Sequence, residues 1–156
     1  MRAAATALPG VRLVRRVITR PCDGDSEDFQ SVTRQQFDQI RAEGGFAVDW
    51  QAHGLSYGVP HPSGDGVWLM NLSRKRIADA ARGMPGMGVI HVTADPGVLA
   101  ARLAARGRET AADIAARIAR DAALDAAGRP VITIDNSGDL EQAKAAFIAA
   151  VRELSQ

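Results

Sequence analysis

Val89-Ile-His-Val-Thr93, then Ala94-Asp95-Pro96, then Gly97-Val-Leu99-Ala-Ala-Arg102-Leu103-Ala-Ala-Arg106 is a strand that turns directly into a helix. Three of the first five positions carry Val or Ile, which suit a pleated, half-buried surface. Asp95 is placed to cap a helix, and Pro96 suits its first turn, where a missing amide hydrogen costs nothing. Leu99 and Leu103 are four apart and share a face of the helix, which is expected to run to Arg106. Strands alternating with helices build α/β proteins with a largely parallel sheet.

The alternation continues in both directions. Leu13 to Thr19 reads as the first strand. Phe29 to Glu43 contains a helix, with Thr33 and Gln36 as a capping box and Gly44-Gly45 as its end. Phe46 to His53 alternates, with Phe46, Val48, Trp50 and Ala52 on one face and Asp49, Gln51 and His53 on the other. Val67 to Leu72, apolar except for Asn71, reads as a buried parallel strand, with Ser73 able to cap the next helix. Thr110 and Asp113 form another capping box, opening a helix to about Ala126. Val131 to Ile134 is the last strand, and Leu140, Ala143, Phe147, Ala150 or Val151 and Leu154 stripe a closing helix. Pro60 to Gly66 is an irregular loop.

A chain of 156 residues is the size of one domain, and 46% hydrophobic with 24% charged residues is ordinary for a soluble globular protein. With 19 Lys and Arg against 18 Asp and Glu, the near-neutral balance argues against a broad nucleic-acid-binding face. The single cysteine, Cys22, precludes an internal disulfide and fits a reducing compartment. No apolar run approaches membrane-spanning length, and the N-terminus has no secretory h-region. The Arg-rich, acid-free opening from Met1 to Arg20 resembles a transit peptide faintly, but it overlaps the first strand. Cytoplasmic location is expected.

Four constellations carry candidate chemistry. Arg102, Arg106, Arg108, Arg117 and Arg120 sit on two helical pieces hinged at Gly107. Guanidinium forks grip phosphate oxygens two at a time, so the set favours phosphate binding, although Asp113, Arg117 and Asp121 also stand at salt-bridge spacing. Arg16 and Arg20 share one strand face near Thr19, at a carboxyl end where α/β folds bind ligands; protection of a sheet edge by charge is the competing reading. Tyr57, beside a glycine-bounded turn, offers a phenolic donor, while His53 is either an acid–base group or structural and Trp50 reads as core. Asn71, Ser73 and Arg74 form either an anion nest or a plain helix cap. The three histidines, His53, His61 and His91, lack metal-ligand spacing.

In this order, Arg16-Val-Ile-Thr-Arg20, Trp50 to Gly58, Asn71 to Arg74, the Arg102 to Arg120 run and Ile134 to Leu140 resemble the guanylate-kinase-like branch of the P-loop kinases. The closer resemblance is to the ribose 1,5-bisphosphate phosphokinases, the PhnN family. It spans residues 12 to about 150 and implies a three-layer, parallel-sheet α/β fold in one domain. Residues of about 12–58 would form the acceptor part and about 95–126 the lid.

The resemblance implies that Arg16, Thr19, Arg20, Tyr57, Asn71, Ser73 and Arg74 bind the acceptor. Arg106, Arg108 and Arg117 would act in transfer, and Arg106, Arg120 and Asn136 would hold ATP, brought as its magnesium complex. The partners would be a sugar phosphate and ATP, with neither nucleic acid nor membrane. Guanylate kinases read guanine with acids where this chain has Val48 and Asn71, which favours a sugar phosphate over a nucleobase.

The family opens with a strand and a Gly-x-x-x-x-Gly-Lys-[Ser/Thr] loop, and no such run occurs in this sequence. Met1 to Leu8 resembles the tail of the helix after that loop, so the fold is expected to lack its first strand and P-loop. Either the start codon is placed too late or the gene is truncated, and only a genuine truncation implies little or no kinase activity. Guanylate or other nucleoside monophosphate kinase activity, and a non-catalytic guanylate-kinase-like binding module, are the alternatives.

Overall fold

The computed structural model describes residues 1–21, 28–105, 112, 115 and 124–156. The chain divides into two compact units, Met1–Gly86 and Met87–Gln156.

The first unit opens with α1 (Arg2–Ala7), which packs its buried Ala4 towards β1 (Val11–Leu13). Parallel pairing joins β1 to β6 (Val67–Leu69), with Arg12 across from Trp68 and its guanidinium over the indole. The expected first strand, Leu13 to Thr19, is two strands in different sheets. The Val14 amide still bonds the Leu69 carbonyl, and the chain then leaves for β2 (Arg16–Ile18). Apolar patterning cannot show such a change of partner.

A four-stranded sheet has the order β3-β2-β5-β4, with β3 at Phe29–Ser31, β4 at Phe46–Ala52 and β5 at Leu55–Pro60. Only β2 and β3 run parallel; β2–β5 and β5–β4 are antiparallel. Between β3 and β4 lies α2 (Arg34–Ala42). Thr33 and Gln36 close the capping box that their spacing predicts, and the Gly44 and Gly45 amides bond the Arg41 and Ile40 carbonyls at the other end.

The β4–β5 hairpin turns on two residues, His53 and Gly54, with φ of 51° and 75°. Both central residues of such a turn need positive φ, and His53 and Gly54 supply it. Tyr57 and Gly58, expected near a turn, lie inside β5. The register places Trp50 across from Tyr57 and Val48 across from Val59.

An irregularity between Phe46 and Val48 breaks the expected alternation. Phe46 therefore leaves the Val48–Trp50 face and packs on Phe37 of α2, with ring centroids 4.7 Å apart. It also crosses Gly58, where an added Cβ would lie 2.4 Å from its ring. The core of this unit comprises Val17, Ile18, Phe29, Phe37, Val48 and Val59, with Ile77, Ala80 and Ala81 of α3 (Ile77–Gly83).

Residues 70–73 link β6 to a short 3-10 turn, Arg74–Arg76, that runs into α3. The Ser73 side chain makes no cap bond, and β6 ends at Leu69 rather than Leu72.

In the second unit, β7 (Val89–Thr93) pairs in parallel with β8 (Val131–Asp135) from Val89–Val131 to Thr93–Asp135. Asp95 caps α4 (Pro96–Ala105) as expected, its Oδ1 accepting from the Gly97 and Val98 amides. Asp139 caps α5 (Leu140–Leu154) likewise. Leu103, Ile134, Ala150 and Val151 are buried, whereas Leu140, at the start of the predicted stripe, is exposed.

Candidate functional site

Residues directly opposite across strands share a sheet face, as do residues two apart along one. Ile18 stands opposite Tyr57, and Tyr57 opposite Trp50, so Arg16, Ile18, Arg20, Tyr57 and Trp50 belong to one face. Side-chain contacts agree. The Arg16 guanidinium lies over the Tyr57 ring at 5.6 Å from its centroid. Trp50 stacks on Tyr57 at 5.3 Å with 5° between the planes. Arg20 covers the ring of buried Phe29 at 4.6 Å. Tyr57 thus shares a surface with Arg16 of β2 and with Arg20, two residues beyond that strand, and this surface can give several phosphate donors.

The reverse face explains what holds these strands in place. Thr19 and Ser56 exchange backbone and side-chain bonds: the Thr19 amide donates to the Ser56 carbonyl, and the Ser56 amide donates to Thr19 Oγ1 at 2.9 Å. Ser56, 1% exposed, is the buried polar residue of the sheet, and its hydroxyl accepts from Arg34 Nη1 at 3.0 Å. Arg34 is in turn tied through Nε to Asp38 at 2.9 Å. Thr19 thus sits on the α2 side. Sequence reasoning missed Arg34 and Ser56, whose meeting depends on how α2 docks onto β5.

Asn71, Ser73 and Arg74 lie along the connection from β6 into α3, with Asn71 and Arg74 exposed and Ser73 half-buried. That connection reaches the four-stranded sheet through α3, which packs against β4.

In the second unit, the ends of β7 and β8 meet at a stitched loop. The Asp95 amide donates to Ser137 Oγ at 2.7 Å, and Ser137 gives its hydroxyl and amide hydrogens to Asp135 Oδ1. The Ser137 hydroxyl, then its amide, hold the Asp135 carboxyl below its ordinary value of 3.8. Arg102 Nη1 bonds the Asn136 carbonyl at 2.6 Å, so the first arginine of the run is committed to the loop. Asn136 Oδ1 is buried and accepts no hydrogen bond among the described residues. Arg106, Arg108, Arg117 and Arg120 lie outside the described residues. Among the described residues no cluster of His, Cys, Asp or Glu suits a metal ion, and no helix is long and apolar enough to cross a membrane.

Curated proteins share this sequence at length. The chain is 40% identical over 163 residues to the ribose 1,5-bisphosphate phosphokinase PhnN of Brucella melitensis, across 99% of this chain and 85% of that protein. It is 41% identical over 151 residues to the PhnN of Azotobacter vinelandii, across 92% and 81%. The chain belongs to the PhnN family. The PhnN of Pseudomonas fluorescens is 45% identical over 142 residues, across 84% of this chain and 74% of that protein. No protein-family model matches the chain.

The PhnN chain also superimposes on the crystal structure of guanylate kinase from Anaplasma phagocytophilum with a TM-score of 0.69, at 19% identity, over 99% of this chain and 81% of the other. The fold is therefore guanylate-kinase-like. A PhnN chain of this kind is a phosphotransferase by family, and kinase relatives imply ATP as the phosphate donor.

Proposed function

We propose that this chain binds ribose 1,5-bisphosphate as phosphoryl acceptor and, with ATP, forms 5-phosphoribosyl 1-diphosphate in phosphonate catabolism in the cytoplasm. The observation that carries the reading is the shared face of Arg16, Tyr57 and Arg20, where one guanidinium lies over the phenol and the other over the ring of Phe29. The reacting group of such an acceptor is an ionised phosphate, so no general base is required. Catalysis then consists of aligning two polyanions and neutralising their repulsion.

Arg16, Arg20 and Tyr57 would hold the acceptor, with Asn71, Ser73 and Arg74 contributing from the α3 side. Thr19 serves by anchoring β2 to β5. Arg106, Arg108, Arg117 and Arg120 would cover the ATP phosphates and the transferred group. Magnesium would arrive on the ATP phosphates. The buried Asn136 oxygen suits an adenine amino group, whose hydrogen it would accept.

Calorimetry with ribose 1,5-bisphosphate, GMP and ATP with magnesium tests the reading, followed by a product assay. The bisphosphate should bind and GMP should not. Arg20→Ala should weaken the bisphosphate by roughly ten- to a hundredfold, the worth of a charge-assisted hydrogen bond. Preference for GMP, or no binding of the bisphosphate by a folded chain, would refute it.

A further inference from the structure

Tyr57 is the only tyrosine of the chain, and its ring is held from both sides. Strand order puts β4 and β2 on opposite flanks of β5. Trp50, on β4, lies parallel to the phenol at 5.3 Å, and the Arg16 guanidinium, on β2, lies over it at 5.6 Å. Trp50 is half-buried, so one part of the indole faces Tyr57 and another faces solvent. Among the described residues no hydrogen bond engages the Tyr57 hydroxyl. Its orientation therefore rests on the stack, because a phenol without a hydrogen-bond partner is otherwise fixed only by packing.

We propose that Trp50 is a positioning residue for the acceptor site: with Arg16 it clamps the Tyr57 ring across three strands, so that the hydroxyl stands ready for a phosphate oxygen. This rests on the acceptor reading above and adds to it a residue that never touches the ligand. A pre-oriented donor binds more tightly because the ligand does not have to order it. Arg16 then has two duties, as a cationic face for the ring and as part of the positive surface. An indole offers the largest flat face for such a clamp, and phenylalanine keeps a smaller one.

The test uses the whole chain in a Trp68→Phe background, leaving Trp50 as the only indole and Tyr57 as the only phenol. Trp50→Phe, Trp50→Ala, Tyr57→Phe and the double variant Trp50→Ala with Tyr57→Phe are compared. Near-ultraviolet circular dichroism reads how rigidly the tyrosine is held, and calorimetry reads the affinity for ribose 5-phosphate and ribose 1,5-bisphosphate. Trp50→Ala is expected to lose most of the tyrosine band and to bind roughly five- to tenfold more weakly, the scale of one aromatic pair. Trp50→Phe should keep both. In the Tyr57→Phe background, Trp50→Ala should cost no further affinity, since the residue acts through the hydroxyl.

An equal loss of affinity with and without that hydroxyl would overturn the proposal, showing that Trp50 meets the ligand itself. Unchanged affinity and an unchanged tyrosine band in Trp50→Ala would overturn it too. If neither sugar phosphate binds the parent chain, the acceptor reading fails, and with it the functional part of this proposal. The tyrosine band then tests the clamp alone, and its survival in Trp50→Ala would refute that as well.

Discussion

Replacing Gly58 by alanine puts a methyl group where the Phe46 ring already lies. Three ring atoms, Cε1, Cδ1 and Cζ, would stand 2.4, 2.6 and 2.6 Å from the new Cβ, well inside van der Waals contact. The ring has little room to retreat, because Phe37, 1% exposed, stacks on it at 4.7 Å. Either α2 lifts from the sheet or β5 shifts against β4. Overpacking of this kind costs about 2–3 kcal/mol. For a chain of this size the melting temperature should fall by roughly 5–10 °C.

Thermal unfolding followed by circular dichroism reads the loss, and Phe46→Leu supplies the control. Leucine lacks two of the three colliding atoms, Cε1 and Cζ, so the double variant should unfold above Gly58→Ala although Phe46→Leu alone destabilises by about 1 kcal/mol. A Gly58→Ala protein that melts within about 2 °C of the parent would refute the argument. So would a double variant whose loss is the plain sum of the two single losses, because a shared collision requires the pair to be non-additive.

Two further predictions concern the second unit. The folded Asp135 carboxyl titrates below its ordinary value of 3.8, so its contribution to stability is complete above the pH where the unfolded carboxyl ionises and is lost as pH falls through the folded value. Asp135→Asn should therefore melt closer to the parent below about pH 3 than above about pH 5, and parallel melting-temperature profiles would contradict this. Asp139→Ala removes the acceptor for the Glu141 and Gln142 amides and should destabilise α5 by about 1 kcal/mol, with Asp139→Asn retaining most of it. Equal melting of parent and Asp139→Ala would show that these bonds contribute nothing.

Features governed by neighbours in the chain were the ones legible beforehand. Thr33, Gln36, Gly44 and Gly45 mark both ends of α2 through local hydrogen bonds, and Asp95-Pro96 marks the start of α4 in the same way. Features that depend on distant partners were not. The break between β1 and β2 arises because β1 finds β6 while β2 finds β3 and β5, and no periodicity in Leu13 to Thr19 announces two sheets.

Phe46 lies off the face expected of it because a bulge opposite Pro60 and Val59 is invisible to strict alternation. The Trp50–Tyr57 pair was readable in principle. Once His53-Gly54 is taken as a two-residue turn, counting back two from Ala52 and forward two from Leu55 brings the rings together. The meeting of Arg34 with Ser56 was not, because it needs the docking angle of a helix on a sheet.

The His53-Gly54 turn has a consequence beyond its own two residues. It works as a ruler: the number of residues between Trp50 and Tyr57 decides which side of the ribbon the phenol emerges on. Side chains alternate with a period of two, so a slip by a single position would turn Tyr57 towards α2 and bring Ser56 out in its place. This hairpin should therefore accept many changes of residue type while resisting any insertion or deletion that alters its count.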